Sequence, residues 1–115
     1  MKSVHEELGN SIFLEIFGDS LINQVLDFLV VFDRFDYTMA DIAVKSGVSY
    51  STLKTLLKEL IARGLIVQSR VSGKSKMYKL NKNNPLVQKF VKFYWQVTDA
   101  SVEKDVKKKK LVVVH

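Results

Sequence analysis

The stretch GVSYSTLKTLLKELIARGLI, residues 47–66, joins a glycine, a group of hydroxyl side chains and a regular apolar stripe. Its apolar residues recur at the spacing i, i+3, i+4, i+7 and i+8, which marks one face of an α-helix. These residues are Leu53, Leu56, Leu57, Leu60 and Ile61. Small hydroxyls and lysines occupy the opposite face, whereas a solvated helix face ordinarily mixes charges of both signs. This composition indicates that the polar face contacts a partner other than water.

The composition of the whole chain limits the classes of protein to which it can belong. With 115 residues, of which 47% are hydrophobic, it is expected to fold as one domain around a single core. The absence of cysteine excludes a disulfide framework, a thiolate metal site and a cysteine nucleophile. No apolar run approaches the roughly 18 residues of a membrane span, and the N-terminal MKSVHEELG lacks the apolar segment of a signal peptide. We therefore expect a cytoplasmic protein that does not contact membranes.

Basic and acidic side chains are unevenly distributed along the chain, whose formal net charge is +6. Residues 1–41 carry two basic and eight acidic side chains, and residues 83–115 carry seven and three. Residues 45–82 carry nine basic side chains against Glu59 alone. Such a basic segment either improves solubility or forms an electrostatic footprint for a polyanion. The sorting of charges by region favours the footprint, centred on the quoted helix.

Two short helices are predicted to meet across a tight turn just before the polar face. TMAD, residues 38–41, has the spacing of a capping box, with Asp in place of the usual Glu, and opens the first helix. Gly47 ends that helix because glycine tolerates a positive φ, and Ser49 is placed to cap the next one. Further upstream, Ser20 is placed to cap an apolar-faced helix, and another short apolar segment ends at Gly18.

After Gly64 the pattern changes from helical to strand spacing. LIVQSRV (residues 65–71) is rich in β-branched residues and KMYKL (76–80) alternates, so both are predicted strands. SGKS (72–75) between them supplies a glycine-containing hairpin turn. The region after the quoted helix is therefore expected to be a basic β-hairpin.

The C-terminal part is predicted to be helical. Asn84-Pro85 provides a cap followed by a proline at the first helical position, which predicts a helix over about 85–103. Residues 1–106 then form a single domain, and 107–115 form a basic and apolar tail. The four lysines of the tail are either solvated or bind phosphates.

At MADIAVKSGVSYSTLKTLL, residues 39–57, the chain resembles a helix-turn-helix, and with the basic hairpin it resembles the winged helix-turn-helix DNA-binding regulators. Ala43 matches the small position against the partner helix, and Gly47 matches the turn four residues on. The apolar positions that lock the two helices are matched by Val48, Leu53 and Leu56. The resemblance covers roughly residues 20–82, and the flanks are similar to archaeal-type and MarR- or ArsR-like dimeric transcriptional regulators. Tyr50, large and amphipathic, departs from the pattern.

The resemblance implies a mainly α fold with a small β-hairpin wing (α+β), that is, a winged helix-turn-helix with flanking dimerisation helices. It also implies that the recognition helix enters the DNA major groove by its N-terminal half, where hydroxyls and lysines face base edges and phosphates. The predicted DNA contacts of this helix are Ser49, Tyr50, Ser51, Thr52, Lys54, Thr55 and Lys58. Two alternatives remain open. Ser49 either contacts DNA or serves only as the helix cap, with its amides near a phosphate, and Tyr50 either contacts DNA or packs on Val48.

The hairpin is expected to contact phosphates or the minor groove as the wing. Its predicted DNA contacts are Arg70, Ser72, Lys74, Ser75 and Lys76. The alternative is a solvated hairpin tip, where glycine and lysine are common because they keep strand edges from pairing. Proximity in sequence to the basic helix favours DNA contact.

The C-terminal helix carries an apolar stripe wide enough to imply a homodimer. The residues predicted at the dimer interface are Leu86, Phe90, Phe93, Tyr94 and Val97. Val87, Val91 and Trp95 widen the stripe beyond what one neighbouring layer covers. A small monomer rarely exposes so much contiguous apolar surface, and two-fold pairing buries the patch against its own copy. The alternative is that the helix folds back over its own domain.

Catalytic and metal-binding functions are not expected. His5 and His115 lie at opposite ends of the chain, so neither has a local metal-ligand or general-base partner. There is no glycine-rich phosphate loop and no nucleophile elbow. The sequence therefore predicts no enzyme, no metal and no cofactor; an apolar pocket for a small-molecule effector is compatible with it.

Three functions are weighed on this basis. The leading hypothesis is a sequence-specific regulator of transcription that binds double-stranded DNA as a homodimer on an inverted repeat. The first alternative is a winged-helix module that binds protein in a transcription or replication assembly, and such modules often lose the basic face that is present here. The second alternative is a non-specific architectural DNA-binding protein.

Overall fold

The computed structural model describes residues 3–114, with side chains for residues 3–102. This part of the chain contains six helices and one two-stranded antiparallel sheet. In chain order they are α1 (Val4–Leu8), α2 (Ile12–Phe17), α3 (Leu21–Val31), α4 (Met39–Ser46), α5 (Tyr50–Ala62), β1 (Ile66–Ser72), β2 (Ser75–Leu80) and α6 (Pro85–Val114). The predicted mainly α architecture with a β-hairpin wing is confirmed. None of the described helices combines the length and the apolarity needed to cross a membrane.

The predicted starts of α3, α4 and α5 are confirmed by hydrogen bonds. The hydroxyls of Ser20, Thr38 and Ser49 accept the backbone N–H three residues on, at 3.3, 3.1 and 3.3 Å. Gly47 ends α4 in the left-handed conformation, with a φ of 78°. Because both helix ends are capped, the turn that joins α4 to α5 has a fixed geometry.

Helix α1 was not predicted, although SVHE (residues 3–6) has the spacing of a capping box. The Ser3 hydroxyl accepts the backbone N–H of Glu6 at 3.3 Å, and Gly9 ends the helix. Ser3 lies against the turn between α4 and α5, since a Cβ atom added to Gly47 would come within 3.1 Å of the Ser3 Cβ. Gly47 is therefore required both by its positive φ and by this close approach.

The core draws on α2 to α6 and on both strands. Leu53, Leu57 and Leu60 of α5 are buried as predicted, and Leu56 is partly buried against them. Ile61 is 39% exposed, so its assignment to the buried face was wrong. It lies at the edge of the stripe, where helical spacing does not distinguish inside from outside. Helix α5 is thus held by burial along most of its length.

The wing is a hairpin whose two strands pair in antiparallel fashion. Ser72 pairs with Ser75 across a two-residue turn that contains Gly73 at a φ of 62°. The register shifts after Gln68, which leaves Ser69 as an extra residue in β1. This is a β-bulge, and it bends the strand at that point.

Helix α6 begins where the sequence predicts and ends later. Asn84 Oδ1 accepts the backbone N–H of Leu86 at 2.9 Å and caps the helix. The helix continues to Val114, so the prediction of an end near residue 103 was wrong. No glycine or proline follows the first helical residue, and lysine is a good helix former, so nothing in the sequence stops the helix. The side chains of the predicted tail, residues 107–115, lie outside those described.

Candidate nucleic-acid interface

The structure brings the residues predicted on the recognition helix onto one surface at the start of α5. Six of them are exposed, namely Ser49, Tyr50, Ser51, Lys54, Thr55 and Lys58. Thr52 is half-buried at the flank of the helix. Tyr50, which departs from the winged-helix pattern, exposes 54% of its surface in the first turn. The polar face is thus accessible because the leucines of the opposite face are taken up by the core.

The hydroxyls of this face are already joined by short-range hydrogen bonds. Ser49 Oγ accepts the backbone N–H of Thr52 and donates to its Oγ1 at 2.9 Å, so the capping role of Ser49 is confirmed. Thr55 Oγ1 donates to the carbonyl oxygen of Ser51 at 3.4 Å. A hydroxyl that donates in this way still has lone pairs with which to accept a hydrogen bond. Ser51 and Thr55 therefore present hydrogen-bonding groups held in place by the helix.

The wing presents four of its five predicted residues at its exposed end, namely Ser72, Lys74, Ser75 and Lys76. The fifth, Arg70, has a different partner. Its Nε donates to Asp36 Oδ2 at 2.8 Å and its Nη2 donates to Asp36 Oδ1 at 3.1 Å. The guanidinium of Arg70 is thus paired within the chain although its side chain is 59% exposed, and its contact with DNA stays a prediction.

Asp36 is held in its charged form by this contact. The hydrogen bond from Arg70, and then that from Ser69, lower the pKa of Asp36 from its ordinary 3.8 to about 2. The Ser69 hydroxyl donates to Asp36 Oδ2 at 2.6 Å. The same contact with Asp36 raises the pKa of Arg70. Both partners are therefore charged at neutral pH.

Three of the nine basic side chains in residues 45–82 are paired with acids. The pairs are Arg63–Glu59, Arg70–Asp36 and Lys82–Asp33, at 2.7, 2.8 and 3.1 Å. Lys45 Nζ lies 5.1 Å from the centre of the Tyr37 ring, a cation–π contact. The remaining lysines are exposed and have no acidic partner among the described side chains; they are Lys54, Lys58, Lys74, Lys76 and Lys79. The uncompensated charge is thus concentrated on α5 and the wing.

The residues predicted for dimerisation are divided between two sides of α6. Tyr94 is 1% exposed and its hydroxyl donates to Asp27 at 2.6 Å, so it belongs to the core of its own chain. Its assignment to a dimer interface was wrong, because helical spacing does not tell which partner covers a stripe. Phe90 and Val97 are half-buried, and the Phe90 ring meets Phe13 edge-on at 5.6 Å.

The other side of α6 is apolar and exposed. Leu86 exposes 60% of its surface, and Phe93 is exposed two turns further along the same flank of the helix. Phe93 extends this surface to α2, because its ring lies 5.4 Å from that of Phe17, which is exposed together with Ile16. We call Ile16, Phe17, Leu86 and Phe93 the α2–α6 apolar face. Trp95 is also exposed, but it lies on the opposite flank of α6, half a turn around the helix from Leu86.

A buried polar cluster behind this face was not predicted. Asp27 Oδ1 accepts hydrogen bonds from Ser11 Oγ at 2.5 Å and from the Tyr94 hydroxyl at 2.6 Å. His5 Nδ1 lies 3.8 Å from Asp27 Oδ2, a contact between residues that are distant in sequence and were not predicted to meet. Burial, and then the hydrogen bond to Asp27, raise the pKa of Tyr94. The signal available in the sequence was a single acid inside the apolar run of α3; His115 lies outside the described residues.

Comparison with known proteins shows similarity at the level of structure. No protein-family model matches the sequence, and no curated protein is significantly similar to it. The fold is similar to that of MepR, a transcription regulator of the Staphylococcus aureus multidrug efflux pump MepA, with a TM-score of 0.61 and 20% sequence identity. The alignment covers 77% of this chain and 64% of MepR, so the chain spans less than two thirds of that protein.

Two structures of ZitR from Lactococcus lactis are also similar. An apo form of a ZitR double mutant has a TM-score of 0.61 at 20% identity, over 96% of this chain and 86% of ZitR. Wild-type ZitR in complex with DNA has a TM-score of 0.51 at 20% identity, over 79% and 70% of the two chains. Likeness at this level of identity shows a shared fold, and the predicted winged-helix fold is confirmed.

Proposed function

We propose that this protein is a sequence-specific, double-stranded DNA-binding regulator of transcription, and not an enzyme. The observation that carries the proposal is the exposed polar face of α5, which presents hydroxyls and uncompensated lysines on a winged-helix fold. A helix that only covered a core would have no reason to collect these residues at its N-terminal half. The DNA complex of ZitR, a protein of the same fold, supports the assignment.

In this proposal α5 enters the major groove and the wing follows the adjacent backbone. The hydroxyls of Ser51 and Thr55 contact base edges, since each donates or accepts according to the base that it meets. Lys54 and Lys58 of α5 contact phosphates beside the groove. The lysines at the wing tip contact phosphates outside the groove or in the minor groove, and these contacts position the protein without reading sequence.

We also propose that two copies pair through the α2–α6 apolar face. Four large apolar side chains from two helices form this face, and a two-fold axis buries such a patch against itself. Two recognition helices related by this axis reach half-sites about one helical turn apart, so the DNA target is an inverted repeat. Tyr94 has no part in this interface because its own chain buries it.

Selection of bound sequences from random duplex DNA tests the DNA-binding proposal. We expect an enriched inverted repeat with half-sites about 10 base pairs apart. Enrichment of no sequence despite tight binding would identify an architectural DNA-binding protein. Failure to bind duplex DNA at all would favour a protein-interaction module.

Sedimentation at micromolar concentration tests the dimer separately from DNA. We expect a dimer for the wild type and a monomer for Phe93→Asp, which places a charge in the α2–α6 apolar face. The matched control is Gln96→Asp, an exposed position on the same helix. A wild-type monomer, or a Phe93→Asp dimer, would contradict the interface.

A further inference from the structure

We infer that Asp36, an acidic residue, is a positioning residue for DNA binding because it holds the wing in its working orientation through Arg70 and Ser69. The inference rests on the proposed DNA-binding function and assigns to the junction between α3 and α4 a role in controlling the wing. An acidic side chain beside a basic surface is ordinarily expected to weaken DNA binding by repelling phosphates, whereas Asp36 is inferred to strengthen it.

Three hydrogen bonds converge on the Asp36 carboxylate. Arg70 donates through Nε and Nη2 to the two oxygens, which is the bidentate geometry that orients a guanidinium most strictly. Ser69 adds a hydrogen bond at 2.6 Å. Residues 69 and 70 belong to β1, so the carboxylate binds the wing strand at two consecutive positions.

The β-bulge explains how two neighbouring side chains reach one carboxylate. In a regular strand, successive side chains point to opposite faces. The register shift after Gln68 interrupts this alternation at Ser69, and a bulge redirects side chains in this way. Ser69 is thus both the residue at which the wing strand bends and one of the two residues that attach the wing to the Asp36 carboxylate.

Asp36 is itself attached to the domain by its neighbour. Tyr37 exchanges two backbone hydrogen bonds with Tyr78 of β2, at 2.9 and 2.7 Å, and is buried. Its hydroxyl donates to the carbonyl oxygen of Phe32 at 2.9 Å. The carboxylate therefore projects from a fixed point of the backbone.

Beyond the bulge the wing has little else to hold it. Residues 71–76 are all exposed, and an isolated two-stranded hairpin is marginally stable in water. The Asp36 contact lies at the root of this segment. Loss of the contact is expected to let the wing tip sample many directions while the rest of the domain keeps its core.

Two explanations of Asp36 predict opposite effects of its removal. If the residue acts only through its charge, Asp36→Asn removes a repulsion and strengthens DNA binding. If it positions the wing, Asp36→Asn weakens binding, because only the fraction of molecules with a competent wing binds fully. A competent fraction of about one tenth lowers the affinity about tenfold. The sign of the change decides between the explanations.

The matched control is Asp33→Asn. Asp33 lies three residues earlier and pairs with Lys82 at 3.1 Å, so its replacement removes the same charge without touching the wing strand. We expect Asp36→Asn to bind the selected duplex about tenfold more weakly. Asp33→Asn should bind as tightly as the wild type or more tightly, and Asp36→Glu should recover part of the loss. An Asp36→Asn protein that bound as tightly as the wild type would overturn the inference.

A second readout follows the wing without DNA. Because the chain has no cysteine, a spin label placed at Ala40→Cys and another at Ser75→Cys report the distance from α4 to the wing tip. We expect a narrow distance distribution in the labelled parent and a broad one after Asp36→Asn. Arg70→Gln, at a side chain that is 59% exposed, breaks the same contact and serves if Asp36→Asn does not fold. An unchanged distance distribution in either variant would contradict the inference that the Asp36 contact holds the wing.

The two readouts separate this inference from the function on which it rests. If the wild type binds no duplex, the proposed function and the role of Asp36 in it both fail. The distance distribution still decides whether Asp36 holds the wing. If the wild type binds DNA and Asp36→Asn binds equally well, only the inference fails.

Discussion

Helix α5 and the wing share one candidate DNA surface, yet they are held in place by opposite means. Three leucines of α5 are fully buried, so its orientation depends on apolar packing. The exposed part of the wing is attached at its root by a charged contact between Arg70 and Asp36. Apolar burial is indifferent to moderate salt, whereas an ion pair of which one side is exposed is screened. The orientation of the proposed reading helix should therefore be insensitive to salt, whereas the attachment of the proposed backbone-binding wing should weaken as salt rises.

The largest effect is expected from removing the packing under α5. Leu57 is fully buried, and Leu57→Ala should lower the free energy of unfolding by about 2–5 kcal/mol through lost burial and the cavity left behind. Urea unfolding followed by the fluorescence of Trp95, the single tryptophan, measures it. The control Ile61→Ala, at the exposed edge of the same stripe, should cost less than about 1 kcal/mol. Equal losses in both variants would mean that packing does not fix α5.

A smaller effect is expected from substitutions on the exposed polar face of α5, which is the proposed reading face. Thr55→Ala should reduce discrimination by about 1–3 kcal/mol at one or two base pairs of the selected sequence, because a base contact is lost. Competition with duplexes that carry single substitutions measures it. Thr98→Ala is the matched control, since Thr98 makes the same hydrogen bond to the carbonyl four residues back, on α6. A specificity profile unchanged by Thr55→Ala would remove this residue from the reading face.

Substitutions in the wing should change the affinity for all DNA sequences alike. Lys74→Ala should remove the phosphate contact proposed for this residue, so the affinity for DNA should fall uniformly and the slope of log K against log salt should decrease in magnitude by about 0.9. Binding isotherms at several salt concentrations measure it. Lys92→Ala, which removes the same charge from an exposed position on α6, should leave the slope unchanged. An equal change in both variants would indicate a general charge effect and no specific wing contact.

The smallest effect concerns the ionisation of Asp36. Arg70 is the main cause of its low pKa, so Arg70→Gln should raise that pKa from about 2 towards 3.8. A depressed carboxyl pKa stabilises the folded state above the ordinary value, and this contribution disappears as the pH falls from 3.8 through about 2. Carboxyl carbon shifts followed by NMR measure the titration. The control Lys76→Gln, further along the wing, should leave the midpoint of the Asp36 titration unchanged. If Arg70→Gln also left this midpoint unchanged, the charged contact between Arg70 and Asp36 would be ruled out.

Features encoded within a few residues were predictable from the sequence. Thr38, Gly47 and Ser49 each act on the backbone within four residues, and all three were assigned correctly. The hairpin turn was also located correctly, because its signal lies within SGKS, residues 72–75. These local rules located the helices, the turn and the hairpin, and resemblance to winged-helix regulators then identified them as a helix-turn-helix and a wing. The position of the candidate DNA face followed too, since the buried side of α5 determines its exposed side.

Features that join distant segments were not predictable in the same way. Arg70 was assigned to DNA because its neighbours are basic, yet its partner Asp36 lies 34 residues away. Tyr94 was assigned to a second subunit because it lies on an apolar stripe, yet α2 and α3 cover it. In both cases the residue type was informative, whereas its partner depends on the packing of whole elements. Only the three-dimensional structure supplies that information.

The hydrogen bond between Tyr94 and Asp27 links residues 67 positions apart, and this separation bears on how the chain acquires its fold. Closing so long a loop is entropically costly before any contact is gained, and folding rates fall as contacting residues lie farther apart in sequence. Synthesis proceeds from the N-terminus, so the Asp27 carboxylate is made long before the tyrosine that covers it. We therefore expect the helix-turn-helix to form early in biogenesis and the docking of α6 to complete the domain.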